Sequence, residues 1–146
     1  MSENTIKIFT DGACKGNPGL GGWGALIIED VKETEIYGGN FNTTNNQMEL
    51  TATIEALKFF KDSKIIEVYT DSKYVKDGIT QWITNWKKNG WKNASKKPVK
   101  NSELWKELDQ MTNHHEVSWF WVKGHSNHRE NDIADALANK GIDELI

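Results

Sequence analysis

Two similar segments, each an alternating run of strand-forming residues that ends in an aspartate, constrain the fold of this chain most strongly. They are residues 6–11 (IKIFTD) and residues 66–71 (IEVYTD). If the two strands lie side by side and parallel, their aspartates emerge together at the carboxyl edge of one sheet, where open α/β sheets usually bind ligands. A single aspartate at a strand end is more often a turn former or a helix cap. The repetition favours a site for a cation.

The composition indicates one domain that spans residues 1–146. A chain of 146 residues can bury a sizeable core without a disulfide or a structural metal. No apolar run approaches the ~20 residues that cross a bilayer, and the N-terminus lacks the pattern of a signal peptide. We therefore expect a cytoplasmic protein with no membrane association. Cys14 is the only cysteine, so it forms no intramolecular disulfide and is better suited to packing or contact than to nucleophilic catalysis.

Charge is segregated along the chain although the net charge is only −3. Residues 78–102 contain no acidic residue and six lysines. Three tryptophans, Trp82, Trp86 and Trp91, alternate there with Lys87, Lys88 and Lys92. This pattern is typical of a nucleic-acid surface, in which lysines neutralise phosphates and rings pack on sugars or bases. A solvated helix face with tryptophans in the core explains it equally well, and the sequence leaves both readings open.

The glycine-rich residues 12–24 contain a literal G-x-G-x-x-G match that we reject as a dinucleotide fingerprint. A strand-like run, residues 25–29, follows the glycines where that fingerprint requires a helix. We instead predict a flexible loop, and strands at 25–29 and 34–41 that complete an antiparallel meander. Residues 44–47 form a capping box, which places Glu49 in the first turn of a helix. The helix dipole alone could explain that glutamate.

Helices are predicted at 72–77, where Gly78 ends the helix, and at 80–88, with another beginning at Asn101 or Ser102. A strand at 117–122 leads into a polar loop, and a helix over 133–140 ends at Gly141. Asp135 lies in that otherwise apolar helix, either on its solvent side or directed at a site. His125 and His128 lie among oxygen-rich residues without cysteines, so we reject them as metal ligands.

The order of a strand aspartate, a helix glutamate, a second strand aspartate and a helix aspartate, with a histidine in the preceding loop, closely resembles bacterial type 1 ribonuclease H. The resemblance covers essentially the whole chain, and its motifs are TDG at 10–12, GNPG at 16–19, TTNNQMEL at 43–50, TDSKYV at 70–75, GITQW at 78–82, WKK at 86–88 and WVKGH at 121–125. It implies an α/β fold with a mixed five-stranded sheet and helices on both faces. It also implies cleavage of the RNA strand of RNA/DNA hybrids.

By this resemblance the metal-binding carboxylates would be Asp11, Glu49, Asp71 and Asp135, with His125 assisting in proton handling or product release. Hard oxygen ligands favour Mg²⁺, with Mn²⁺ as a possible substitute. Two ions about 3.5–4 Å apart would offset the charge of the carboxylates and clamp the attacking and leaving oxygens. The products would carry 5′-phosphate and 3′-hydroxyl ends.

The resemblance also implies how a hybrid duplex is recognised by a monomer. Cys14, Asn17 and Asn45 would contact 2′-hydroxyl groups of the RNA. The tryptophan and lysine segment would hold the DNA strand, and Thr44 with Asn101 would form a pocket for a DNA phosphate. Two residues depart from the family pattern: Asn42 replaces a frequent arginine of that pocket, and Lys73 replaces a frequent glutamine, which exchanges a base contact for a phosphate contact.

Two alternatives compete with this interpretation. Another nuclease or a strand transferase could use the same carboxylates, but such enzymes usually need further domains for target DNA. A noncatalytic module that binds RNA/DNA hybrids would differ from an enzyme by showing no metal-dependent turnover. The four carboxylates favour the enzyme.

Overall fold

The central strand β1 pairs with a neighbour on each side, one antiparallel and one parallel. In this computed structural model, which describes residues 5–123 and 128–146, the sheet has the order β3-β2-β1-β4-β5. The strands are β1 (Ile6–Lys15), β2 (Gly19–Glu29), β3 (Lys32–Thr43), β4 (Ile65–Thr70) and β5 (Glu116–Trp121). The first three are antiparallel, whereas β4 runs parallel to β1 and β5. The predicted mixed five-stranded sheet is confirmed.

Helices cover both faces of this sheet. They are α1 (Asn45–Lys58), α2 (Lys73–Asp77), α3 (Ile83–Lys88), α4 (Ser102–His114) and α5 (Arg129–Asp143), with a π-helical turn at Gly78–Trp82 between α2 and α3. Alternate residues of β1 and β4, such as Ile8 and Val68, pack into the main core with α1 and α4. Phe9 faces the other way and packs against Ala134 of α5. No helix of the described ranges is long and apolar enough to cross a membrane.

Some element boundaries differ from the predictions. The glycine-rich segment is mostly strand, since β1 continues to Lys15 and β2 already begins at Gly19. The last helix begins at Arg129, where the His128 ring accepts a hydrogen bond from the Asn131 N–H (3.2 Å) as an N-cap. It also continues past Gly141. A helical glycine costs only about 1 kcal/mol relative to alanine, and burial of the next residue, Ile142, offsets that cost.

Candidate active site and metal centre

Asp11, Glu49 and Asp71 come together where β1 and β4 part. Each offers one carboxylate oxygen, and these atoms lie within 4.8 Å of one another. Parallel pairing of the two strands ends at Thr10 and Thr70, so the following aspartates emerge side by side. Asp11 does not end its strand as predicted, because β1 continues along β2. Asp11 is 4% exposed and Glu49 is 5% exposed.

Glu49 reaches this site from the second turn of α1. It is the fifth residue of a helix that begins at Asn45, so the predicted first-turn position is wrong and the helix dipole does not account for it. The helix lies close to β1, and this places the Glu49 side chain at the site. A Cβ atom at Gly12 would lie 2.5 Å from the backbone nitrogen of Glu49, so any larger residue would push α1 away from the sheet.

Asp135 approaches from the opposite face of the sheet on α5. Gly24, the register partner of Asp11 on β2, admits that helix, since a Cβ atom there would lie 2.7 Å from the carbonyl oxygen of Ala134. Asp135 lies close enough to Asp11 to raise the pKa of that carboxyl group. Asp135 is half-buried and outside the tight group of three carboxylates. The structure thus places it beside Asp11.

Burial and mutual repulsion oppose ionisation of these carboxyl groups. Burial, followed by the charges of Asp71 and Asp135, raises the pKa of Asp11 to about 8, against one hydrogen bond from the Gly12 N–H (2.8 Å). The pKa of Glu49 is raised well above its usual value, again chiefly by burial and then by Asp11 and Asp71. Burial also raises the pKa of Asp71. In the absence of a cation, the site therefore retains protons near neutral pH.

Two carboxylate oxygens are buried without a partner. Among the described residues, Oε1 of Glu49 and Oδ1 of Asp71 accept no hydrogen bond. Buried polar atoms normally have partners, so these two atoms indicate a missing positive group. A divalent cation fits, because carboxylate oxygens are its preferred ligands and its charge would offset the repulsion.

The structure describes only one of the two histidines of the polar loop. His125 lies outside the described residues, and its predicted role stays a prediction. His128 caps α5, and its ring lies 5.5 Å from the ring of Phe9.

Four of the predicted nucleic-acid contacts cluster at the N-terminus of α1. The Asn17 side chain accepts a hydrogen bond from the Asn45 N–H (3.1 Å). The single S–H of Cys14 can donate to either of two carbonyl oxygens, that of Gly16 (2.7 Å from Sγ) or that of Thr43 (3.3 Å). Thr44 caps α1 by accepting from the Gln47 N–H (3.2 Å). Side chains proposed for the RNA and DNA strands therefore share one surface beside Glu49.

Gln47 joins Asn101 to this cluster, a link that sequence reasoning missed. The Gln47 amide accepts from the Thr43 hydroxyl (2.9 Å) and donates to Asn101 Oδ1 (3.1 Å). Asn101 Nδ2 donates to the Tyr74 hydroxyl (3.1 Å), and the Asn101 backbone is left-handed, with φ 61°. The capping box had assigned the Gln47 amide to the Thr44 backbone instead. The tertiary fold redirects it towards α4.

The tryptophan and lysine segment divides between core and surface. Trp86 and Trp91 pack against the main core, whereas Trp82 is 37% exposed. Lys87 is held by Asp109 of α4 (3.2 Å). Lys88 and Lys92 are exposed and have no acidic partner within 4 Å among residues 5–123 and 128–146. Trp86 and Trp91 thus follow the core reading, whereas the nucleic-acid reading of the exposed Lys88 and Lys92 stays a prediction.

Trp121 is a second residue that the motif analysis did not select for the site. Its indole N–H donates to the backbone carbonyl of Asp71 (3.1 Å). The ammonium group of Lys73 lies 4.8 Å from the centroid of the indole ring. Its sequence signals were its place near the end of the last predicted strand and at the start of the WVKGH motif at 121–125.

Comparison with known proteins gives consistent results along nearly the whole chain. The RNase H family model matches residues 3–143. Ribonuclease H of Parvibaculum lavamentivorans is 59% identical over 140 residues, which cover 96% of this chain and 93% of that protein. Ribonuclease H of Dechloromonas aromatica is 57% identical over 144 residues, covering 99% of this chain and 97% of that protein.

Solved structures show the same fold. LC9-RNase H1, described as a type 1 RNase H with the type 2 active-site motif, superposes with a TM-score of 0.88 at 31% identity, covering 100% of this chain and 75% of that chain. LC11-RNase H1, solved in complex with RNA/DNA hybrid, gives a TM-score of 0.73 at 25% identity and covers 96% of this chain and 98% of that chain.

Proposed function

This chain belongs to the ribonuclease H family and is an endoribonuclease that acts on RNA/DNA hybrids, and we propose that it cuts the RNA strand at Asp11, Glu49, Asp71 and Asp135. The observation that carries the site assignment is the group of buried carboxylates, two of whose oxygens have no partner among the described residues. A site that must hold protons when empty is suited to divalent cations.

The metal is proposed to be Mg²⁺, with Mn²⁺ able to replace it. Two such ions would offset charge on the phosphate and generate the nucleophile from water, leaving 5′-phosphate and 3′-hydroxyl ends. The protein's part is to hold the carboxylates rigidly: Asp11 on a central strand, Glu49 on a helix packed against Gly12, and Asp71 at the end of β4. Preorganised ligands avoid the cost of assembling a site in each turnover.

Selection of the hybrid is assigned to the surface next to the carboxylates. Cys14, Asn17 and Asn45 would read 2′-hydroxyl groups across the minor groove. Phosphates of the DNA strand would be bound by Thr44, Asn101 and Lys73, and by three lysines in and after α3: Lys87, Lys88 and Lys92. Hydrogen bonds that join Asn17 to Asn45 and Gln47 to Asn101 support this, since they order both sets of side chains around α1.

A labelled RNA/DNA hybrid tests the function directly. We expect cleavage in Mg²⁺, none in EDTA, and none of RNA/RNA or DNA/DNA duplexes under the same conditions. Asp11→Asn is the matched control, because it keeps the volume of the side chain and removes its charge. Tight binding of the hybrid without Mg²⁺-dependent cleavage by the wild type would instead identify a noncatalytic binding module.

His125 is proposed to handle a proton or to assist product release. For His125→Ala we expect turnover to fall roughly 10²- to 10⁴-fold while KM for the hybrid stays within about twofold, since general acid–base groups contribute on this scale. Steady-state kinetics with saturating Mg²⁺ measure both. A loss confined to KM would assign His125 to binding. The monomeric state, the single domain over residues 1–146 and the cytoplasmic location stay predictions.

A further inference from the structure

Trp121 fixes the peptide group that follows β4. Asp71 comes directly after that strand, beyond the last residue pair between β4 and β5. The Val122 N–H still donates to the carbonyl of Thr70 (2.9 Å), and the indole N–H of Trp121 donates to the carbonyl of Asp71 (3.1 Å). A side chain of β5 therefore extends the hydrogen-bond ladder by one bond, to the residue whose carboxylate enters the site.

Neighbouring hydrogen bonds hold the chain on both sides of Asp71. The Ser72 N–H donates to the Thr70 hydroxyl (3.0 Å), and the Ser72 hydroxyl caps α2 by accepting from the Val75 N–H (3.2 Å). The indole bond acts between them, on the Asp71 carbonyl itself. Rotation of this peptide would move the carboxylate, because the side chain and the carbonyl share one α-carbon.

The indole is itself held in place. Trp121 is 39% exposed, and a side chain this exposed would otherwise be free to change rotamer. The ammonium group of Lys73, the first residue of α2, lies 4.8 Å from the ring centroid and attracts the ring face. Packing into the core is the role of Trp119, two residues earlier on β5, which is half-buried against the main core.

We infer that Trp121 is a positioning residue that orients Asp71 for metal binding. The Asp71 carboxylate carries a buried oxygen without a partner among the described residues, so no hydrogen bond holds this oxygen and the position of the backbone limits where it can point. The inference rests on the proposed function in that it takes Asp71 as a metal ligand. It predicts that loss of the indole N–H weakens metal binding, while hybrid affinity is little changed.

Trp121→Phe tests this by removing the donor and keeping a ring for Lys73 to contact. Trp119→Phe is the matched control, with the same chemical change on the same strand. We expect Mg²⁺ affinity without nucleic acid, measured by calorimetry, to fall roughly 3- to 10-fold in Trp121→Phe, the range of one lost hydrogen bond. In Trp119→Phe, Mg²⁺ affinity should stay within about twofold even if Tm falls further. KM for the hybrid at saturating Mg²⁺ should be unchanged in both variants.

A second readout uses the wild type, so that it does not depend on the folding of a variant. The indole N–H resonance of Trp121 should shift when Mg²⁺ is added, whereas that of Trp119 should not. The inference would be overturned if Trp121→Phe kept the Mg²⁺ affinity of the wild type, or if both variants lost the same Mg²⁺ affinity. A fall in turnover without a fall in Mg²⁺ affinity would also overturn it. A wild type that binds Mg²⁺ but leaves the hybrid uncut would contradict the proposed function, and the metal titrations would still decide the role of Trp121.

Discussion

Asp11 is buried between other carboxyl groups, and its ionisation opposes folding when no metal is bound. Its pKa of about 8 lies above the ordinary value of 3.8, chiefly because of burial. A raised pKa in the folded state contributes stability that is fully present below pH 3.8 and is lost as the pH rises through about 8. The metal-free protein should therefore lose stability progressively between about pH 4 and about pH 8.

Asp11→Asn should abolish cleavage and stabilise the metal-free protein in alkali. The amide keeps the side-chain volume and removes the charge that burial opposes, so we expect a gain of about 1–3 kcal/mol at pH 9 and a smaller gain at pH 5. Urea denaturation in EDTA at the two pH values measures this difference, with hybrid cleavage in Mg²⁺ assayed beside it. Near-normal turnover by the variant would refute the assignment of Asp11 as a metal ligand.

His115 titrates in the opposite sense, because the fold requires its neutral ring. Nδ1 accepts the Lys64 N–H (3.0 Å), so Nε2 carries the proton and donates to the Leu57 carbonyl (2.9 Å). Burial lowers the pKa of His115 below its ordinary value of 6.5. A lowered pKa in the folded state contributes stability that is present above pH 6.5 and is lost as the pH falls through the folded pKa.

We expect the His115→Asn variant to be less stable than wild type at pH 7.5, and the difference to become smaller at pH 5 because protonation of the buried ring destabilises the wild type there. Denaturant titrations at both values measure the change. His114→Asn is the control, since His114 is an exposed neighbour whose ring contacts the carbonyl of Lys61. If the stability difference from wild type changed equally between the two pH values in both variants, the buried ring would have no special role.

At the scale of elements, the lysines of α3 and of the segment after it are not equally free to bind phosphate groups. Asp109 of α4 pairs with Lys87 (3.2 Å), whereas Lys88 and Lys92 are exposed. An anion that bound Lys87 would have to compete with that aspartate. The lysines should therefore contribute unequally to binding of the hybrid.

Replacing Lys88 and Lys92 with alanine should weaken hybrid binding and lower the slope of log affinity against log salt by roughly one unit for each lost phosphate contact. Lys87→Ala should change the slope less. Titrations at several KCl concentrations measure this, and saturating hybrid should restore turnover in the double variant. If all three lysines can be removed without effect, the lysine face is only solvated and its assignment to the DNA strand fails.

At the scale of the whole molecule, metal binding and folding are linked through the carboxylates. A ligand that binds only the folded state stabilises it by about 2.7 kcal/mol at one hundred times its Kd. The raised pKa values of Asp11 and Glu49 mean that protons must leave before a cation binds, so Mg²⁺ affinity should increase with pH.

We therefore expect Mg²⁺ to raise Tm, and to raise it more at pH 8.5 than at pH 6. NaCl at matched ionic strength is the control, and EDTA should reverse the effect. Asp11→Asn should show a smaller rise at both values. A rise in Tm that NaCl reproduces would indicate general screening of charge, not binding at the carboxylates.

The sequence by itself determined the strands, the sheet and the residues whose side chains can bind a metal ion or a nucleic acid. Alternation of residues 6–11 and 66–71 predicted β1 and β4, and Thr44 predicted the start of α1, because these signals depend on neighbouring residues. The boundaries of α5 were missed because its N-cap is a histidine, which is not a usual capping residue, and because the helix continues past Gly141.

Only the tertiary structure decided how the site residues act. Glycines at 12 and 24 let two helices approach Asp11 from opposite faces. Burial, and not helix position, is the main cause of the raised pKa of Glu49. Lys87 forms an ion pair with Asp109 of α4. The indole of Trp121 reaches Asp71 across 50 residues of chain. Such effects depend on distances and solvent exclusion between segments remote in sequence, which no local pattern records.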